Sequence, residues 1–70
     1  MRIGTWNLEG CWGARHLTLI EAMNCDVLLL TEVREDIAIP SYDLHLGHLE
    51  MVPGRRWAAV ASRLPMHPLH

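Results

Sequence analysis

A run of four consecutive aliphatic residues, at positions 27–30 (VLLL), constrains the fold of this chain more than any other feature. Asp26 precedes the run, and Thr31 and Glu32 follow it. Successive side chains of a strand point to opposite faces of its sheet, so alternation between apolar and polar residues marks a strand with one buried face. A continuous apolar run of this length instead predicts a strand, residues 26–33, that is covered on both faces.

A first strand and a short helix are predicted ahead of this buried strand. Residues 2–8 (RIGTWNL) predict the first strand, and the two glycines within residues 9–13 predict a loop after it. Residues 14–24 place apolar side chains at helical spacing and finish on an asparagine, which favours helix termination. A helical connection of this length is typical of a layered α/β protein with parallel central strands.

The second half of the chain predicts an antiparallel hairpin. Residues 44–52 alternate between apolar and polar positions, and the alternation slips at residues 47–48, which predicts a bulge or a break there. The Pro-Gly pair at positions 53–54 is a turn signal, and residues 56–63 follow as the second strand.

These predicted elements supply too little cover for the apolar run. A chain of 70 residues buries only about 60% of the surface of its unfolded state, so its core is small. One short helix and one hairpin cannot cover both faces of the predicted sheet. We therefore expect residues 1–70 to form the N-terminal part of a larger α/β domain that is truncated at its C-terminus.

Composition excludes several classes of protein. The apolar runs are far shorter than the roughly 18 residues that a membrane-spanning helix needs, and the N-terminus lacks the residue order of a signal peptide. Half of the residues are hydrophobic, which argues against disorder, and the net charge of −2 argues against a surface dedicated to coating nucleic acid. Cys11 and Cys25 lack CxxC spacing and are expected to be small buried residues in a reducing, cytoplasmic compartment.

Asn7 and Glu32 occupy equivalent places near the C-terminal ends of the two predicted parallel strands. Open α/β sheets bind ligands outside those ends. A carboxylate there is a natural ligand for magnesium, and an amide beside it can offer an oxygen to the metal or a donor to a phosphate. The simpler alternatives are a solvated charge at a strand end for Glu32 and a turn-forming residue for Asn7.

Three short motifs follow one another along the chain. The first strand ends in TWN at residues 5–7, the second strand reads DVLLLTE at residues 26–32, and AAVASRLP follows at residues 58–65. In order and spacing these motifs resemble the N-terminal portion of the endonuclease/exonuclease/phosphatase superfamily. This is the deoxyribonuclease-I-like fold, which also includes AP endonucleases and inositol phosphatases. The resemblance covers nearly the whole chain.

The resemblance implies a four-layer α/β sandwich and a metal-dependent phosphoesterase. Glu32 would be the ligand of a magnesium or manganese ion, and Asn7 would help to hold the metal or the scissile phosphate. Trp6 would be a core residue beneath the site. The substrate would be a phosphoester, in a nucleic acid or in a phosphorylated small molecule or lipid, and water would attack its phosphorus atom.

The same resemblance shows what these 70 residues do not contain. Catalytic histidine and aspartate residues of the family come from later strands, and no motif of that kind occurs here. We therefore expect that the chain by itself is not an efficient enzyme. The alternative hypothesis is a non-catalytic remnant or an interaction module, which would complete its uncovered sheet by self-association or against a partner.

Several other patterns have both a functional and a simpler interpretation. His45 and His48 have a spacing seen in zinc sites, but residues three apart in a strand face opposite sides, so ordinary surface histidines are the simpler interpretation. His67 and His70 lie in a proline-rich segment and are expected to be solvated.

Two tryptophan positions have a similar ambiguity. Arg55 and Arg56 with Trp57 could bind a phosphate backbone and stack on a base, whereas a hairpin loop followed by a core tryptophan is the simpler account. Trp12 is expected to be a packing residue of the glycine loop, with the wall of a substrate site as the alternative.

Overall fold

The computed structural model describes residues 1–64, in which one helix packs on a five-stranded mixed sheet. No helix in this range is long and apolar enough to cross a membrane. His67 and His70 lie outside the described residues. In chain order the elements are β1 (Ile3–Asn7), α1 (Ala14–Met23), β2 (Val27–Arg34), β3 (Asp43–Leu46), β4 (Glu50–Val52) and β5 (Arg55–Ser62).

The first three elements form the predicted strand–helix–strand unit. Strands β1 and β2 are parallel neighbours, with Ile3 opposite Val27 and Asn7 opposite Thr31. Parallel strands need a crossover connection, and α1 supplies it. The parallel arrangement of the first two strands is therefore confirmed, with strand boundaries within one residue of the prediction.

Helix α1 ends where its sequence predicts. Asn24 follows the last helical residue in the left-handed conformation (φ 49°), and its N–H donates to the carbonyl of Ile20 over 3.2 Å. Asparagine adopts the left-handed conformation more readily than most residues, so it can end the helix at little energetic cost. At the other end Gly13 occupies the N-cap with no side-chain hydrogen bond, so that terminus is weakly defined.

Strand β5 joins the parallel pair to the hairpin strands. It lies antiparallel to β2 on one side and to β3 and β4 on the other, in the order β1-β2-β5-β3. The predicted slip at residues 47–48 is a break between β3 and β4, at which the N–H of Gly47 donates to the carbonyl of Ala58 over 2.8 Å. A Cβ atom at Gly47 would lie 2.9 Å from that carbonyl oxygen, so the close approach needs glycine.

One face of the sheet, here called the inner face, packs against α1 and the segment after β2. Gly4 lets the helix end approach closely, because a Cβ there would lie 2.8 Å from the Cys25 sulfur and 2.9 Å from Met23 Cε. Each leucine, isoleucine or valine side chain that is buried in the core contributes about 1.5–3 kcal/mol. The buried hydrophobic residues are Leu8, Ile20, Cys25, Leu28, Leu30, Val33, Ile37, Ile39, Ala59 and Ala61.

The other face of the sheet, here called the outer face, stays open among the described residues. Ile3 on β1 is 62% exposed and Leu29 on β2 is 47% exposed. Leu29 lies between Thr5 on one neighbouring strand and Val60 on the other, in a row of uncharged side chains. Leu29, in the middle of the apolar run at residues 27–30, is therefore left largely uncovered in residues 1–64, which is the shortage of cover that the sequence predicts.

A polar network closes the end of the sheet away from the candidate site. The Asp26 carboxylate accepts the main-chain N–H of Arg2 over 2.8 Å and pairs with Arg63 over 3.1 Å. The hydrogen bond from Arg2 and the Arg63 guanidinium hold the pKa of Asp26 below its ordinary value. Arg63 also lies 5.6 Å from the centre of the Tyr42 ring, and the Tyr42 hydroxyl donates to the carbonyl of Cys25.

The structure is thus a small mixed α/β domain, and it corrects two predictions about burial. Trp57 is not a core residue, since it is 50% exposed on β5. Cys11 is exposed in the loop after β1, whereas Cys25 is buried as predicted. Both cysteines are free thiols. Trp6 is only partly buried, at the margin of the core.

Candidate functional site

The two residues singled out from the sequence lie at the same edge of the sheet. Asn7 is the last residue of β1 and is paired with Thr31, the residue that precedes Glu32 in β2. Since the two strands are parallel, their carboxyl ends meet there. The structure therefore places Asn7 and Glu32 on adjacent strand ends, as expected from the sequence.

The Asn7 side chain organises the loop that follows β1. Its Oδ1 atom accepts the main-chain N–H of Glu9 over 2.9 Å, which is the geometry of an Asx turn. The turn-forming alternative for Asn7 is therefore observed. An asparagine amide also carries two N–H donors, and these have no partner within residues 1–64. The side chain can hold the loop and still donate to a ligand.

Glu32 has an unusual backbone conformation for a strand residue. Its φ angle is +52°, in the left-handed region, although it lies inside β2 and is not glycine. This conformation raises the energy of an L-residue by roughly 1–2 kcal/mol. Its carbonyl accepts the N–H of Gly10 over 2.9 Å, and the carbonyl of Thr31 accepts the N–H of Leu8 over 3.0 Å. Both hydrogen bonds fix the loop after β1 against the end of β2.

That loop brings a second carboxylate to the same edge. Glu9 is exposed and follows Asn7 by two residues, with a left-handed φ of +55°. Gly10 is next, with a φ of +71°. The main-chain N–H of Glu9 donates to Asn7 Oδ1 and the next N–H, that of Gly10, donates to the Glu32 carbonyl, so the Glu9 backbone lies beside both candidate residues. The sequence predicts a loop at residues 9–13 but no role for Glu9, and its position two residues after Asn7 is the one sequence signal that points to it.

A cation also reaches this edge from the hairpin. Arg55 begins β5 and lies directly opposite Arg34 of β2. A Cβ atom built on Gly10 would lie 2.9 Å from both Cζ and Nη1 of Arg55 and 3.1 Å from its Nε. These nearly equal distances show that the flat guanidinium group lies over Gly10. The candidate site thus consists of Asn7, Glu9 and Glu32 with Arg55 beside them.

A cleft of about 400 Å³ opens next to Arg55. Two ion pairs border it: Arg34 with Asp36 over 2.7 Å, and Glu35 with Arg56 over 2.5 Å. The hydrogen bond that Arg56 donates to the Glu35 carboxylate raises the pKa of the Arg56 guanidinium above its ordinary value. The cleft is lined by Arg34, Glu35, Asp36, Pro53, Gly54 and Arg55.

The donor set at the strand ends fits a hydrated divalent cation. Magnesium is commonly held by one or two carboxylates together with waters and substrate phosphates, so Glu32, with Asn7 or Glu9 beside it, matches that pattern. Within residues 1–64 no three residues among His, Cys, Asp and Glu converge as a metal-binding group. The residues present would supply only part of a coordination shell.

The remaining sequence candidates lie away from this edge. His45 projects from the outer face of β3, and His48 follows in the break before β4. Trp12 is partly buried and stacks on His16, with ring centres 5.5 Å apart, which supports its packing role. Trp6 stacks on the other side of His16 at 5.2 Å.

Comparison with known proteins adds no relatives: no protein-family model, curated protein or solved structure matches this chain. What the chain does is therefore inferred from its own residues. The relevant ones are Asn7 and Glu32 at adjacent strand ends, and Glu9 and Arg55 beside them.

Proposed function

We propose that this chain carries the metal-binding part of a magnesium- or manganese-dependent phosphoester hydrolase. Glu32 holds the metal ion, and Asn7 contacts the metal or the scissile phosphate. The substrate is a phosphoester of a nucleic acid or of a phosphorylated small molecule or lipid. The proposal follows the resemblance to the endonuclease/exonuclease/phosphatase superfamily and includes its four-layer sandwich.

The left-handed backbone of Glu32 supports the proposal most strongly. Strained non-glycine residues occur preferentially at functional sites, where the geometry of a side chain matters more than the stability of its backbone. Glycine would fit the φ of +52° without strain, yet a carboxylate residue occupies the position. It lies one residue beyond Thr31, the last β2 residue that pairs with the parallel strand β1, at the edge where sheets of this class bind ligands.

The two roles left open for Asn7 are not equally supported. Its Oδ1 atom already accepts the N–H of Glu9, whereas its two amide N–H donors have no partner within residues 1–64. A donor is what a phosphate oxygen requires, and an acceptor is what a cation requires. We therefore favour phosphate binding for Asn7, with Glu32 as the main metal ligand and Glu9 as its neighbour.

A divalent cation at this edge would offset negative charge on the phosphoryl oxygens of a bound ester. The chain's own residues supply the carboxylate that holds the ion and the amide that orients the phosphate. Activation of water and protonation of the leaving group would need further residues placed around the phosphate. We therefore propose that residues 1–70 bind metal and phosphate but turn substrate over poorly on their own.

Manganese binding by single variants tests the role of Glu32. Titration of Mn²⁺ followed by electron paramagnetic resonance reports the free ion, and Glu32→Gln is expected to weaken binding about tenfold. Glu21→Gln, on the exposed face of α1, is the matched control and should bind as the unmodified chain does. Equal affinity of Glu32→Gln and the unmodified chain would remove Glu32 from the site.

A second candidate function, self-association, is favoured by the outer face of the sheet. Ile3 is 62% exposed and Leu29 is 47% exposed. The direct neighbours of Leu29 on the adjacent strands, Thr5 and Val60, are both uncharged. Exposed apolar sheet surfaces are typical of interfaces. The chain has no lysine, the residue that most often protects exposed sheet edges. The proposed partner is a second copy of this chain. The outer faces of the two copies would pack together and bury Leu29 of each.

A cytoplasmic location is part of the same proposal. Cys11 and Cys25 are both free, and Cys11 is exposed. An exposed free thiol persists in reducing compartments and is readily oxidised elsewhere. These observations support a reducing environment for the chain.

A further inference from the structure

Arg55 has no evident role in stabilising the fold. It lies directly opposite Arg34 in the antiparallel pair of β2 and β5, and like charges at such positions destabilise a sheet. Arg34 is neutralised by a two-point interaction with Asp36, through Nε at 3.1 Å and Nη2 at 2.7 Å. Within residues 1–64 the Arg55 guanidinium makes no hydrogen bond or ion pair. Its charge is left uncompensated.

That charge lies against the loop after β1. A Cβ atom built on Gly10 would lie 2.9 Å from the Cζ and Nη1 atoms of Arg55, so the guanidinium lies over this glycine. The N–H of Gly10 in turn donates to the carbonyl of Glu32 over 2.9 Å. The end of the Arg55 side chain therefore lies at the edge of the sheet that carries the candidate metal ligand, with its N–H donors free.

Arg55 is the charged residue of the adjacent cleft whose charge is not paired within residues 1–64. The other charged groups that border the cleft are engaged in ion pairs, Arg34 with Asp36 and Glu35 with Arg56. An unpaired guanidinium offers donors in a planar fork that matches two oxygens of a phosphate group. The cleft of about 400 Å³ has room for a small phosphorylated group.

We propose that Arg55 is a phosphate-binding residue of this site. It would donate to non-bridging oxygens of a phosphate whose other oxygens face Asn7 and the metal at Glu32. This inference rests on the proposed function for the metal-bound state, but the anion-binding property of Arg55 can be tested without metal. The ligand chemistry is an ionised phosphate, in either a monoester or a diester.

Phosphate binding to metal-free protein is the first test. Inorganic phosphate, as a model of a monoester, and dimethyl phosphate, as a model of a diester, are each titrated in chelator-treated buffer. Nitrogen-15 NMR follows the Arg55 Nε–H and the Gly10 amide, whose signals are expected to shift and saturate. Arg55→Ala should weaken binding about tenfold, and Arg55→Lys should retain part of it. Arg15→Ala, at an exposed arginine of α1, should bind as the unmodified chain does.

A second arm adds Mg²⁺ and the variant Glu32→Gln. The two proposals together predict that Mg²⁺ tightens phosphate binding and that Glu32→Gln removes only this gain. Metal-free binding that depends on Arg55, with no effect of Mg²⁺, supports the Arg55 site and contradicts the metal site. Equal phosphate affinity of Arg55→Ala and the unmodified chain overturns the Arg55 proposal, as does a lack of saturable binding to the metal-free chain. The tighter of the two anions identifies the ester class.

Discussion

The main-chain N–H of Gly10 donates to the main-chain carbonyl of Glu32 over 2.9 Å and ties the loop after β1 to the end of β2. Both residues have left-handed backbones, with φ of +71° and +52°. Glycine adopts this conformation freely, whereas glutamate does so at roughly 1–2 kcal/mol. The same hydrogen bond therefore joins a residue suited to its conformation and one that is strained in it.

Replacing Glu32 by glycine should relieve this strain. Glu32→Gly is expected to raise the free energy of unfolding by up to about 1 kcal/mol, because glycine fits the left-handed backbone without the Cβ clash. Urea denaturation measures the change. Thr31→Gly is the matched control, since Thr31 has an ordinary strand backbone, and it should lower stability by about 1 kcal/mol. A destabilised Glu32→Gly would mean that the Glu32 side chain stabilises the fold.

Gly10→Ala should be destabilising through its backbone. The new Cβ would occupy a left-handed backbone (φ +71°) and would displace the Arg55 guanidinium, the far end of a flexible side chain, from a distance of 2.9 Å. Because that side chain can move aside at little cost, we expect a loss of about 1–2 kcal/mol in the free energy of unfolding, measured by urea denaturation. Gly54→Ala is the matched control and should lose a similar amount, because Gly54 is left-handed (φ +84°) but has no atom within 4 Å of the new Cβ. A clearly larger loss for Gly10→Ala would contradict this expectation and would mean that the Arg55 guanidinium is held rigidly against Gly10.

The free energy of unfolding should decrease at acidic pH because of Asp26. Its pKa is held below the ordinary value by the hydrogen bond from Arg2 and by the Arg63 guanidinium. A depressed folded-state pKa gives stability that is present above the unfolded pKa and is lost as pH falls through the folded pKa. Asp26→Asn should therefore reduce the dependence of urea stability on pH between about pH 5 and pH 2.

A matched variant controls for the loss of a negative charge alone. Asp43 is exposed at the start of β3 and has no ion pair within residues 1–64. Asp43→Asn should leave the acid dependence close to that of the unmodified chain. If Asp26→Asn and the unmodified chain lose stability in parallel as the pH falls, the network around Asp26 does not carry the effect.

Self-association through the outer face should depend on Leu29. Sedimentation velocity is expected to show larger species as the protein concentration rises, and Leu29→Thr should return the chain to a monomer by removing exposed apolar area. Leu19→Thr changes a leucine of similar exposure on α1 and should leave association unchanged. A monomer at all concentrations in the unmodified chain would contradict this candidate function.

The local order of elements could be predicted from the sequence because each has a strong local signal. The apolar run at 27–30 predicts β2, and Asn24 predicts the end of α1. The shortage of cover was also predictable, since the amount of apolar surface follows from composition. Leu29, half-exposed on the outer face, is the residue that shows it.

The position of β5 and the placement of Arg55 beside the candidate site could not be predicted in the same way. Placing β5 between β2 and β3 depends on pairings between residues distant in the chain, such as Leu28 with Ala61. The half-exposure of Trp57 depends on how the elements pack together, which no local pattern reveals. Arg55 meets Gly10 through tertiary packing alone. The proximity of Asn7 and Glu32 was predictable because equivalent strand ends lie together in parallel sheets.

Paramagnetic broadening in nitrogen-15 NMR can locate bound Mn²⁺ directly. If Glu32 holds the metal ion, small amounts of Mn²⁺ should broaden the amide signals of Asn7, Gly10 and Glu32 first. Val27 and Ser62, paired at the opposite end of β2, should keep their intensities. Glu32→Gln should abolish the selective broadening. Broadening centred elsewhere, or equal in the unmodified chain and Glu32→Gln, would contradict a metal site at the carboxyl ends of β1 and β2.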